Sequence, residues 1–330
     1  MTKRARHCGK NMYRIGIIGG AGYTAGELLR LLVNHPAARI AFVQSESHAG
    51  EPVAAVHEGL WGETDLVFAG SADLEQADVL FLCGAHGKSA QFWENRQKPE
   101  GLKVIDLAQD FRDQSDGYVY GLPEWQKSRI QGADKVANPG CFATAIQLAL
   151  LPLAAARLLT GEVNVTAVTG STGAGVKPSA STHFSWRTNN LSAYKVFEHQ
   201  HLLEIRRNLG SLQPELPAIN FVPVRGDFPR GIFATLHTDC PLSQEEADAL
   251  YNNFYQDAPF TFLYPGPVDL KQVVNTNKCL IGLEKHGPKL VITSVIDNLL
   301  KGAAGQAVEN MNLMLGLDQT AGLRLKASAF

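Results

Sequence analysis

Apolar positions follow two different rhythms along this chain. Residues 14–18 form a short apolar run, the length of a buried strand. A glycine-rich turn follows, and Leu28, Leu29, Leu31 and Leu32 then recur at helical spacing over residues 27–34. Asn34-His35-Pro36 ends that helix, since the residue before a proline is pushed out of the helical region. Runs at 39–43, 79–83 and 103–107 read as further strands, with a helix-like segment near 90–96. Strands alternating with helices predict a parallel, doubly wound α/β sheet.

The rhythm changes after Cys141. Residues 142–159 read as a helix with a broad apolar surface, hence mostly buried. Strands are predicted at 163–169, 219–224 and 231–237. Ser243-Gln244-Glu245-Glu246 is a capping box that opens a helix. Runs at 278–284 and 289–296 meet at His286-Gly287-Pro288, a hairpin signal. Strands here follow one another directly, which predicts an α+β unit with a largely antiparallel sheet. An Ala-rich stretch at 301–315 reads as a last long helix.

Composition narrows the picture. A length of 330 residues suggests two domains, and 45% apolar residues exclude a disordered chain. The net charge of −2 offers no field for nucleic acid. Four of the 30 basic residues lie in segment 1–11, which holds no acid; the other 26 face 32 acids, a net of −6. That basic head is expected to be a poorly ordered extension, with Met12 an equally good start. A signal peptide is not expected, because Glu27 and Arg30 interrupt the apolar stretch. The longest uncharged run, 136–156, contains two prolines, so no membrane span is expected. Five cysteines without a CxxC argue against disulfides and a zinc site, and for a reducing cytosol. No metal is expected.

Two places carry candidate chemistry. Gly19-Gly20-Ala21-Gly22-Tyr23-Thr24-Ala25 joins the first strand to the first helix. Glycines let the backbone approach a pyrophosphate, and the helix N-terminus supplies free N–H groups. The second strand ends at neutral, hydroxyl-bearing Ser45 and Ser47, which favours NADP; Glu46 counts the other way. The other place is Cys141, which follows Asn138-Pro139-Gly140 and precedes the long helix. The dipole there is expected to lower the thiol pKa and make it nucleophilic, although a free cysteine can equally be a packing residue.

Motifs in order along the chain resemble the N-acetyl-gamma-glutamyl-phosphate reductases. They are the glycine turn, Ile105-Asp106-Leu107-Ala108-Gln109-Asp110-Phe111-Arg112, Tyr120-Gly121-Leu122-Pro123-Glu124 and Ala137-Asn138-Pro139-Gly140-Cys141. The likeness continues through Gly170-Ser171-Thr172-Gly173-Ala174-Gly175, His199-Gln200-His201, Gly226-Asp227-Phe228-Pro229-Arg230-Gly231 and Asp297-Asn298-Leu299-Leu300-Lys301-Gly302. Glycine and alanine are exchanged at Ala25-Gly26, and Leu203-Glu204-Ile205 replaces the Pro-Glu-Ile usual in the family.

The resemblance implies NADPH-dependent reduction of an N-acyl-gamma-glutamyl phosphate, acetyl by default, to the semialdehyde in arginine biosynthesis. The equivalent aminoadipyl enzyme of lysine biosynthesis and a non-catalytic NADP sensor are the alternatives. It implies an aspartate-semialdehyde-dehydrogenase-like fold, with residues 12–141 and 302–330 binding nucleotide. Residues 142–301 would form the catalytic and oligomerisation domain of a cytoplasmic homodimer or homotetramer. Cys141 becomes the nucleophile, and His199 or His201 the acid/base, with a lean to His199. Residues two apart do not share a helix face, so only one imidazole is expected to reach the thiol. Arg112, Asn138, Lys177, Arg187 and Arg230 would hold the anionic substrate. Gly173, Ala174 and Gly175 would approach the cofactor, and Asn298 its nicotinamide amide.

Overall fold

The computed structural model describes residues 12–328; the basic segment 1–11 and the expectation attached to it lie outside the described residues. The first sheet contains β1 (Tyr13–Ile18), β2 (Ala38–Gln44), β3 (Phe68–Ala69), β4 (Val79–Leu82), β5 (Lys103–Asp106), β6 (Val119–Tyr120) and β7 (Lys135–Ala137). Their order is β3-β2-β1-β4-β5-β7-β6, and every pair is parallel. The connections carry α1 (Tyr23–Leu32), the short α2 (Val53–Val56) and α3 (Lys88–Trp93), and α4 (Pro123–Gln131). Strand order reverses between β1 and β4, and the carboxyl ends at such a switch point form a ligand crevice. The leucines of α1 pack on Ile15, Ile17, Val79 and Phe81 in one buried core.

The second sheet contains β8 (Val163–Thr169), β9 (Ser192–Ala193), β10 (Ile219–Arg225), β11 (Ile232–Asp239), β12 (Thr261–Leu263), β13 (Cys279–His286) and β14 (Lys289–Ile296). Its order is β12-β13-β14-β11-β8-β10-β9. The middle run β13-β14-β11-β8 is antiparallel, and β8–β10 and β12–β13 are parallel. The hairpin between β13 and β14 turns at Gly287, whose φ of 54° suits glycine. After β7 the chain enters α5 (Cys141–Ala155); the short α6 (Phe184–Arg187), α7 (His201–Leu212) and α8 (Gln244–Tyr255) follow. Helices α5, α7 and α8 share one core with the inward residues of β8, β10, β11 and β14. The capping box is present, with Glu246 N donating to Ser243 Oγ at 3.2 Å and Ser243 N to Glu246 Oε2 at 2.8 Å. Helix α5 is shorter than periodicity predicts, because Arg157 turns into the left-handed region at φ 56°.

The last helix begins as a π-turn, Leu300–Ala304, and continues as α9 (Gly305–Met314). Ala307, Val308 and Met311 return to the core of the first sheet, beside Ile15 and Leu28. The π-turn aims Lys301 into a fully buried position between Glu124 Oε1 and Glu309 Oε2, 2.8 Å from each. No helix among the described residues is long and apolar enough to cross a membrane. No cluster of metal-ligating side chains occurs among them.

Candidate active site

The glycine turn is built by close packing as much as by flexibility. Gly19 has φ +77°, and a Cβ there would meet the backbone of Cys83 and Gly84 at 3.1 Å. A Cβ on Gly20 would lie 2.3 Å from Val43 Cγ1. Gly22 caps α1 with no side-chain hydrogen bond, and α1 has no acid in its first turn. No atom lies within 4 Å of where a Gly22 Cβ would be. The first N–H groups of this helix are uncapped by any side chain and the space beside Gly22 is open, which fits a nucleotide phosphate. Ser45 Oγ stands 3.3 Å from Ser47 Oγ at the end of β2. The Ala25-Gly26 exchange has a local cause that the sequence did not reveal. A Cβ on Gly26 would strike His57 Nδ1 at 2.7 Å, and His57 Nε2 donates to Gly20 O at 2.7 Å. His57 thus braces the turn from below.

Cys141 is the first residue of α5, with Gly140 as its extended N-cap. Beneath it lies a buried polar network carried by one face of α7. His201, Glu204 and Asn208 recur at helical spacing and are all buried. Glu204 Oε1 accepts from Arg112 NH1 at 3.0 Å, and Oε2 accepts from Tyr120 OH at 2.6 Å and Gly140 N at 3.1 Å. Gln147 donates to Tyr120 OH and accepts from Asn208 Nδ2, each at 2.8 Å. Tyr120 and Glu204 stood in quoted motifs without a role, and Gln147 and Asn208 were not singled out from sequence. The i, i+3, i+7 spacing of polar residues from His201 was the available signal.

The two histidines stand together. Helix α7 starts at His201, so His199 lies before it and the helical-face argument does not apply. His199 Nδ1 accepts the His201 backbone N–H at 3.2 Å, and the rings meet edge-on with centroids 4.6 Å apart. Both rings also contact Phe142. Burial drives the His199 pKa down to about 4 and that of His201 well below the usual value, so both are neutral at pH 7. The His201 ring presses on Gly140, where an added Cβ would lie 2.4 Å from Nε2. Gly140→Ala is accordingly expected to displace this imidazole. Because an error of about 1 Å in a catalytic group costs on the order of a hundredfold, kcat should fall by about that factor while NADP binding survives.

The expected lowering of the thiol pKa is reversed. Burial pushes Cys141 up to about 11, outweighing the Phe142 N–H and Arg112, which act the other way. Alkylation of Cys141 by iodoacetamide, read by peptide mass, should therefore rise about tenfold per unit between pH 7 and 9. A plateau below pH 7 would refute this environment.

Comparison with known proteins decides the family. Residues 14–133 match the family "Semialdehyde dehydrogenase, NAD binding domain", and residues 141–298 match "Semialdehyde dehydrogenase, dimerisation domain". N-acetyl-gamma-glutamyl-phosphate reductases from Phocaeicola vulgatus and Bacteroides thetaiotaomicron are each 58% identical over 322 residues, covering 97% of this chain and 100% of theirs. The reductase of Flavobacterium johnsoniae is 52% identical over 326 residues. The chain belongs to the N-acetyl-gamma-glutamyl-phosphate reductase family. Its fold is that of the aspartate semialdehyde dehydrogenases. The structure of a probable aspartate-semialdehyde dehydrogenase from Pseudomonas aeruginosa superposes at TM-score 0.72 with 17% identity, over 92% of this chain and 99% of that one. Aspartate semialdehyde dehydrogenase II of Vibrio cholerae gives 0.71 with 18% identity, over 93% and 99%.

Within this reductase fold the residues expected to bind substrate are largely engaged by protein. Arg112 donates to Asn138 O, Leu107 O and Glu204, so all three of its nitrogens are used. Asn138 Nδ2 donates to Ala303 O, and its Oδ1 accepts from Asn310. Arg187 is buried and holds Arg225 O, Asn190 O and Ser192 Oγ. Arg230 reaches across to Glu27 on α1 at 2.7 Å and to Asp297 at 3.0 Å, so its charge is already matched. It clamps the first helix to the second sheet. Lys177 is exposed in the loop after β8. Gly173, Ala174 and Gly175 lie in that same loop, at the carboxyl end of β8. Asn298 accepts from Gly231 N at 2.7 Å and donates to Thr172 Oγ1 at 3.0 Å, so its amide braces this loop.

Proposed function

We propose that the protein reduces N-acetyl-gamma-glutamyl phosphate to N-acetyl-glutamate 5-semialdehyde with release of phosphate, using NADPH, in arginine biosynthesis. The observation that carries this reading is Cys141 at the first position of α5, directly after the Gly140 on which the His201 ring presses, in a chain 58% identical along its length to such reductases. The names of these relatives favour neither the lysine-pathway alternative nor a non-catalytic sensor.

Cys141 Sγ attacks the acyl carbon of the acyl phosphate. The carbon–oxygen bond to phosphate breaks, phosphate leaves, and a thioester to Cys141 remains. NADPH held by the glycine turn would supply the hydride that this carbon needs. The thiohemiacetal oxyanion so formed collapses to the aldehyde as its carbon–sulfur bond breaks, and the released Cys141 thiolate regains a proton to restore the resting thiol. With the resting thiol protonated at neutral pH, a base must take its proton as attack begins. We assign that role to His201 in place of His199, which the sequence slightly favoured: His201 is neutral, lies against Gly140 and has Nδ1 without a partner, while His199 holds its backbone. Arg112 and Glu204 fix the floor of this site, and Asn138 its turn.

The turn Gly19, Gly20, Ala21, Gly22, Tyr23, Thr24 and Ala25 would cradle the NADP pyrophosphate, with Ser45 and Ser47 toward the 2′-phosphate. Gly173, Ala174 and Gly175 would approach the nicotinamide, braced by Asn298. Lys177 would screen incoming negative charge. Residues 12–141 and 302–330 would act as the nucleotide unit and 142–301 as the catalytic unit. The latter would pair copies of the chain into a homodimer or homotetramer in the cytoplasm. The test is phosphate-dependent NADP reduction with N-acetyl-glutamate semialdehyde as substrate. No turnover by the intact protein would overturn the reading.

A further inference from the structure

The site needs cationic groups for a substrate with a phosphate and a carboxylate, yet Arg112, Arg187 and Arg230 spend their donors on protein acceptors. Arg225 differs. It is the last residue of β10, opposite Thr169, the last residue of β8, in a parallel pair. The loop with Gly173–Gly175 leaves from that same end. Period-two alternation puts Arg225 on the face of Ile219, Phe221 and Pro223, the face that α5 and α7 cover. Phe221 on that face touches the rings of Phe142 and His199. Beyond it, the Arg225 guanidinium lies 4.7 Å over the Tyr194 ring, which in turn meets His199 with centroids 5.8 Å apart.

Among the described residues no carboxylate answers the Arg225 charge, and Tyr194 is the side chain it rests on. Its Nε is buried without a hydrogen-bond partner. Stacking on an aromatic face orients a guanidinium and leaves its edge N–H groups free, the arrangement that grips a planar or tetrahedral oxyanion. Burying such a donor unpaired costs stability that a bound anion restores.

We propose that Arg225, held flat by Tyr194, is a substrate-anchoring residue that binds an anionic oxygen pair of the acyl-glutamyl phosphate. The two sources of that chemistry are the substrate carboxylate and the phosphoryl group. This inference rests on the acyl-phosphate reductase reading and deepens it.

The reaction run in reverse separates the sources, because semialdehyde and inorganic phosphate are then independent reagents. Arg225→Gln is expected to raise the KM for one of them at least tenfold, with the KM for NADP unchanged and kcat less affected. A rise for semialdehyde assigns the carboxylate, and a rise for phosphate assigns the phosphoryl group. Arg225→Lys keeps the charge but not the planar fork and should fall between wild type and Arg225→Gln. Thermal melts of both variants monitor folding. Unchanged KM values, or equal changes in all three, overturn the proposal. An intact protein with no turnover at all overturns the enzymatic reading instead.

Discussion

Cys141→Ser is expected to lose phosphate-dependent NADP reduction by about a thousandfold or more in kcat, since it removes the group that forms the thioester. A serine hydroxyl is a far weaker nucleophile, and imidazoles whose pKa burial holds low can take its proton far less readily than that of a thiol. Nucleotide binding should persist, because the glycine turn sits on the other sheet. The variant should also fold, as sulfur and oxygen differ little in volume at the start of α5. Steady-state kinetics alongside NADP titration check both halves. Full activity in this variant would sink the covalent mechanism.

Glu204→Gln has the second largest expected effect, and it acts on fold and site together. One carboxylate accepts from Arg112, Tyr120 and the Gly140 backbone. An amide offers one acceptor oxygen and turns its NH2 toward a donor. Arg112, buried as well, loses its counter-charge. Removing one partner of a buried pair costs about 3–5 kcal/mol. A fall of that order in unfolding free energy, measured by urea titration, is expected. Activity should drop further than stability explains, because Gly140 N–H sits one residue before the nucleophile. Retention of wild-type stability would show that the Glu204 charge does not hold this network together.

Much of this was legible in the sequence. The alternation of strand and helix before Cys141 dictated a parallel sheet, and the leucines of 27–34 dictated the buried face of α1. The run of consecutive strands dictated the second, mostly antiparallel sheet. The last helix differs in detail: it opens with a π-turn, because Lys301 must reach both Glu124 and Glu309 in the interior. That demand comes from residues far apart in sequence, so no local rule contains it.

The site was legible as residue types and much less as environments. Cys141 at a helix start was readable, and its protonation was not, because the dipole is a local property and desolvation is a property of everything packed around it. The histidines were readable as a pair, but their mutual contact depends on where α7 begins. Arg230 and Arg225 look alike in a sequence. Tertiary structure gives the first two carboxylates and the second only an aromatic face. What the sequence determined by itself was therefore the periodicities, the turns and the inventory of reactive groups, all set within a few residues by backbone sterics and burial pattern. What only the tertiary structure decided was which charges are already matched, since pairing and desolvation depend on distances between segments that the chain order does not hold.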